Sequence, residues 1–189
     1  MTDFSARLVL RPGVGREAIS RVAWERDWDI HDIGDANSDV YIDVWFTQDE
    51  RAEIHYVEDS LVGLSYVTLR GEDADIVEQQ IRRDCELWEL PQALSDLRQA
   101  VDRNDRLRSV YAVALTAPAE QDEQIVDLYR EVASDSDSGI RQSVIVATGY
   151  LPWPALQELV RELQSHDPAD HVRKNAEIML EGIRLYGPG

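Results

Sequence analysis

Three dipeptides, Leu107-Arg108, Ile140-Arg141 and Val172-Arg173, each follow an Asp by a few residues and each open an apolar helical run. The second half of the chain repeats around them. Leu97, Leu128 and Leu159 are spaced by 31 residues, as are Val101, Val132 and Leu163; Leu107, Ile140 and Val172 are spaced by 33 and 32, as are Val113, Val146 and Ile178. A unit of this length is one helical hairpin that cannot bury its apolar face alone, so its repetition predicts a helical solenoid, an architecture suited to binding other macromolecules.

From Leu90 onward the pattern predicts helices over 91–102, 105–117, 119–133, 138–150, 154–165 and 169–186. Pro91, Pro118 and Pro154 stand near the start of the first helix of each pair, where a missing amide hydrogen costs nothing. The repeated turn has an Asp and then an aliphatic-Arg step: Asp105 with Arg108, Asp137 with Arg141, Asp170 with Arg173. On these residues the segment 90–186 resembles HEAT repeats and is similar to the related repeats of phycobilisome lyases. The resemblance implies an all-α solenoid of three hairpins in which the Asp and Arg residues form a stacking ladder. Asn175, Glu177 and Gly182 depart from the apolar pattern of the third unit, as a capping repeat with a solvated outer face would.

The first half has mostly a two-residue period, from Ser5 to Arg70. Arg7–Leu10 reads as a strand, Pro12–Gly15 as a turn and Arg16–Trp28 as a helix with Ile19, Val22 and Ala23 on its stripe; a short strand follows near Ile30–Ile33. Val40, Ile42, Val44 and Phe46 alternate with Tyr41, Asp43 and Trp45, and Ala52–Val57 and Leu61–Leu69 follow at hairpin distance, so these three strands form an antiparallel meander. Asp73–Trp88 completes the half as a helix. The fold class expected is therefore an α+β domain over residues 1–89, mainly antiparallel sheet with two helices on one face, followed by the HEAT-like solenoid over 90–189.

Charge narrows the choice of partner. The chain carries a formal charge of −18; residues 1–89 hold nine arginines against 21 carboxylates, a charge of −12, and the remainder carries −6. Such a field repels phosphate backbones and attracts a basic protein. No apolar run could span a bilayer, and Asp3, Glu17, Glu25, Asp27 and Asp29 interrupt any leader-like segment near the start, so neither membrane insertion nor secretion is expected and a cytoplasmic address follows. Cys85 is alone, which excludes an intrachain disulfide and a thiolate metal cage.

Candidate chemistry is sparse. Gly13-Val14-Gly15-Arg16-Glu17-Ala18 has the G-x-G-x-x-A spacing of a dinucleotide fingerprint, but hairpin-length gaps between the following strands contradict the parallel crossover that motif requires. Asp135-Ser136-Asp137-Ser138-Gly139 begins like a calcium loop but has Val146 where a bidentate Glu is needed. His31, His55, His166 and His171 show no metal-ligand spacing, and no nucleophile-elbow string occurs. No catalytic, cofactor or metal residue is therefore expected.

Aromatic residues supply the binding candidates: Tyr41 and Trp45 around Asp43 on one strand face, and Tyr111, Tyr129, Tyr150 and Trp153 in the helical half. Either strand face can pack on a helix; left open, the aromatic one would suit a partner rich in Arg and Lys. The expectation is a non-enzymatic protein-binding or regulatory module. The alternatives are an acidic inhibitor or immunity-type protein neutralising a basic enzyme such as a nuclease, and, by resemblance alone, a cofactor-handling lyase.

Overall fold

The structure, a computed structural model, describes residues 6–186; Ser5, where the two-residue period begins, lies outside the described residues. The chain divides into two compact units, Met1–Glu89 and Leu90–Gly189.

The first unit runs β1 (Ala6–Leu10), α1 (Arg16–Glu25), β2 (Asp29–Asp32), β3 (Val40–Phe46), β4 (Ala52–Asp59), β5 (Leu64–Gly71), α2 (Ala74–Asp84) and β6 (Leu87–Trp88). Its strands form one antiparallel sheet in the order β2-β3-β4-β5-β1-β6. The β3-β4-β5 meander is present, and every strand pair among the described residues is antiparallel, which is not the parallel crossover arrangement of a dinucleotide-binding fold. Positive φ at Gly13, in the turn before α1, accounts for the first glycine of that motif as a turn residue.

Cross-strand register sorts the inner face into rows. Trp45, Ile54 and Leu69 form one row; Asp43, Tyr56, Val67 and Leu8 form the next; Tyr41, Glu58 and Ser65 form the third. Ile19, Val22 and Ala23 of α1 and Ala74, Val77 and Ile81 of α2 join the apolar members of the first two rows in a single core. Burying each large aliphatic or aromatic side chain there is worth about 1.5–3 kcal/mol.

The second helix is shorter than its apolar pattern suggests. Helix α2 ends at Asp84 because Cys85 turns extended, and Leu87 and Trp88 pair with Leu10 and Val9 instead of continuing the helix. Burial raises the pKa of the Cys85 thiol.

The second unit contains α3 (Leu90–Gln99), α4 (Arg103–Thr116), α5 (Glu123–Ala133), α6 (Ser138–Tyr150), α7 (Pro154–His166) and α8 (Asp170–Tyr186). Helices pack in consecutive pairs, α3 with α4, α5 with α6 and α7 with α8; in addition α4 packs on α6, α6 on α8 and α5 on α7. Leu97, Leu128 and Leu159 are all buried at equivalent places. Val101 is not the counterpart of buried Val132 and Leu163: it is fully exposed, because α3 stops at Gln99 and the Asp102 carboxylate already caps α4 by accepting the amides of Asn104 and Asp105. Helix α5 starts at Glu123 rather than 119, since Asp122 accepts the Gln124 amide.

Candidate functional site

The end of the inner sheet face is built around a buried carboxylate. Asp43 is completely inaccessible, and one of its oxygens accepts the Arg16 Nε–H at 2.5 Å. The other accepts the Tyr41 hydroxyl at 2.5 Å and the Gly34 amide at 3.2 Å. The carboxylate therefore ties the start of α1, strand β3 and the β2–β3 connection to one another. Pairing with Asp43 raises the Arg16 pKa, while burial and then the bond to Asp43 push the Tyr41 phenol up to about 12.

Gly34 is required for this closure. A Cβ at that position would lie 2.7 Å from the Ile42 amide nitrogen and 2.9 Å from its carbonyl oxygen, both backbone atoms that cannot move aside.

Beyond this pair, the Tyr41–Glu58–Ser65 row forms the floor of an open cleft of about 520 Å³. Arg16 forms one side, and the Ala36–Asp39 segment and the Ser60–Gly63 turn border the rest. The Tyr56 hydroxyl donates to Glu58 Oε1 at 2.5 Å and accepts from the Ser65 hydroxyl at 3.3 Å, and burial raises its pKa. The Arg16 guanidinium lies 5.3 Å from the Tyr41 ring centroid. The cleft thus presents a guanidinium, a carboxylate, a hydroxyl and an aromatic ring, all on regular secondary structure.

The aromatic binding candidates are otherwise placed. Asp43 and Trp45 are buried beneath the helices and cannot meet a partner, and Tyr41 is half-buried with its hydroxyl committed to Asp43. The aromatic face is the core face; Val40, Val44 and Phe46 are only half-buried on the other, where Ile42 is exposed. Tyr111, Tyr129 and Trp153 are also buried. Tyr129 donates to the Val110 carbonyl at 2.8 Å, and Trp153 Nε1–H to the Ala119 carbonyl at 2.9 Å, so both spend their polar atoms inside the unit. Tyr150 is half-buried.

The Asp–Arg pattern also has a different register. Arg106, Arg141 and Arg173 are each the fourth residue of their helix, so the equivalent of Arg141 is Arg106 and not Arg108. Arg106 reaches Asp135 at 3.2 Å, and Arg141 grips Asp167 through two bonds of 2.7 and 2.9 Å. Each contact runs from one hairpin to the turn of the next. Asp135 and Asp167 also accept the amides two residues on, those of Asp137 and Ala169, an Asx turn ahead of each helix. Arg103 adds a parallel bond of 2.8 Å to Asp137, which caps α6 through the Gly139 and Ile140 amides.

Asp105 and Arg108 form only an exposed pair within α4, at 3.2 Å, and Arg173 pairs locally with Asp170 while donating to the Asp167 carbonyl. Asp135, Asp167 and Arg106 are the members that the repeat alignment misses. Their signal is an Asp two residues ahead of each helix cap, hidden because the Leu107-Arg108 step sits deeper in its helix than Ile140-Arg141 does.

The carboxylates of Asp135 and Asp137 are thus engaged by arginines and backbone amides, as helix-capping residues are. Among the described residues no group of three or more His, Cys, Asp or Glu side chains is arranged to hold a metal ion. His55 pairs with Glu53, His31 stacks edge-on against Phe46 at 5.1 Å, and His166 lies 3.3 Å from the Glu162 carbonyl. No helix among the described residues is long and apolar enough to cross a membrane. In comparisons with known proteins, the chain matches no family model, no curated protein and no solved structure.

Proposed function

We propose that the protein is a non-enzymatic binding and regulatory module of the cytoplasm, in which residues 90–186 form a short HEAT-like solenoid and the acidic first unit recruits a basic protein. The solenoid reading is supported by packing of like helix on like, α4 on α6 and α6 on α8, and by the turn-to-turn bonds from Arg106 and Arg141.

The observation that carries the binding reading is the segment 24–35. Trp24 is 85% exposed, and Ile30 and Ile33 are more than half exposed. Exposed Asp27, Asp29, Asp32 and Asp35 are interleaved with them. Strand β2 is the terminal strand of the sheet, so its outer edge has main-chain groups available to an added strand. Apolar anchors surrounded by carboxylates suit a basic segment, with the carboxylates steering its approach and the apolar groups supplying contact. The inhibitor reading is a narrower version: the same carboxylates would occupy the phosphate-binding surface of a basic enzyme such as a nuclease.

Affinity capture from the native host, followed by measured binding of the recovered protein, tests this. The expected result is a basic protein whose affinity falls with salt and drops about tenfold with Ile30→Lys, the loss from a hot-spot contact. Recovery of no protein, or of one indifferent to both salt and Ile30→Lys, overturns the proposal. Inhibition of the recovered protein's catalysis would select the inhibitor reading.

A further inference from the structure

We propose that the cleft beside the start of α1 binds a small zwitterion of the α-amino-acid type, with the ligand carboxylate on Arg16 and its ammonium group on Glu58. Each protein group is held by one side-chain hydrogen bond and presents its other polar atoms. Arg16 is fixed through Nε to Asp43, and its two terminal nitrogens make no hydrogen bond among the described residues. Glu58 is fixed through Oε1 to the Tyr56 hydroxyl, and its Oε2 likewise has no partner.

These two opposite charges face one cleft and feel each other's field, yet they form no ion pair within 4.0 Å. Here the underlying Asp43 and Tyr56 hold them apart, and a molecule carrying both charges can bridge them at little ordering cost. The floor gives such a molecule the Tyr41 ring and the Ser65 hydroxyl, and a volume of about 520 Å³ falls in the range of small-molecule sites.

The sign of the lining selects further. Asp39 and Asp59 join Glu58 against the single cation Arg16, so a simple anion such as phosphate is repelled, and a carboxylate needs its accompanying ammonium group to enter. This site is separate from the exposed residues of segment 24–35 used in the binding proposal, and its test does not depend on a protein partner.

Calorimetric titration of the full chain with three probes decides the matter: L-glutamine, its carboxamide L-glutaminamide, and N-acetyl-L-glutamine. The expected result is saturable binding of L-glutamine at one site, with each blocked form weaker by at least about tenfold, the loss of one charge-assisted contact. Glu58→Gln, at an exposed side chain, is expected to weaken L-glutamine by about the same factor. Asp49→Asn, the same change of charge in the exposed β3–β4 turn, should leave it unaltered. No binding of L-glutamine at millimolar concentration, equal binding of the three probes, or equal losses in the two variants would overturn the proposal.

Discussion

Asp43 in the sheet unit and Asp167 in the helical unit are both buried carboxylates paired with an arginine, at 2.5 and 2.7 Å respectively. Their arginines differ. Arg141 is 10% exposed; it donates Nε and one terminal nitrogen to Asp167 and the other terminal nitrogen to the Asp135 and Ser136 carbonyls. Arg16 is 44% exposed and commits only Nε. A saturated pair welds two turns together and has nothing left to offer a ligand. An unsaturated one has a structural half and a half that remains available. The same ion-pair chemistry serves cohesion in one place and presentation in the other, and the number of donors left over distinguishes them.

The largest expected effect lies on the saturated side. Arg141→Ala leaves Asp167 buried without its cation and should cost about 3–5 kcal/mol in chemical denaturation. Binding of any partner, measured below the melting temperature, should be unchanged if the pair is purely cohesive. Arg16→Ala should cost less, about 1.5–3 kcal/mol, because solvent reaches the vacated position and Tyr41 and Gly34 still donate to Asp43. Equal losses in the two variants would erase the distinction.

Acid titration sharpens the comparison. The bonds from Arg141 hold the Asp167 carboxyl below its ordinary pKa, so the stability it contributes is fully present above the unfolded value, near 4. That contribution is lost as pH falls through the lower folded value. Thermal melts from neutral pH downward should show this loss in the wild type and its absence in Arg141→Ala. At the small end, Arg108→Ala removes only an exposed pair within one helix and should change stability by less than about 0.5 kcal/mol. A drop comparable to that of Arg141→Ala would restore Arg108 to the ladder.

Much of the secondary structure was legible because periodicity is local. The β3 alternation, the meander and the six helices of the second half all follow from it. The orientation of β3 was not legible, since both its faces are apolar enough to pack. What decides is Asp43, which is tolerable in a core because Arg16, 27 residues away, pairs with it and the Tyr41 hydroxyl and Gly34 amide donate to it. The cleft was missed for the same reason: Arg16, Tyr41, Glu58 and Ser65 stand on α1, β3, β4 and β5, and only the packing of α1 and the cross-strand register gather them. The repeat showed its period but not its phase. Apolar spacing locates a helix to within about a turn, whereas the Arg–Asp rungs depend on the cap, and Asp102 starts α4 earlier than the apolar alignment implies.

Gly34 has a consequence for how this protein can vary. Its amide completes the coordination of Asp43, and the space for a side chain is filled by the backbone of Ile42. The loop that follows, residues 35–38, is exposed and ends at Asp39, whose carbonyl accepts from the Ser60 amide and hydroxyl, so side-chain changes within it alter the shape of the cleft rim. A family of descendants could therefore diversify what enters the cleft through those residues, while Gly34 itself stays locked, a fixed hinge pin beside a variable door.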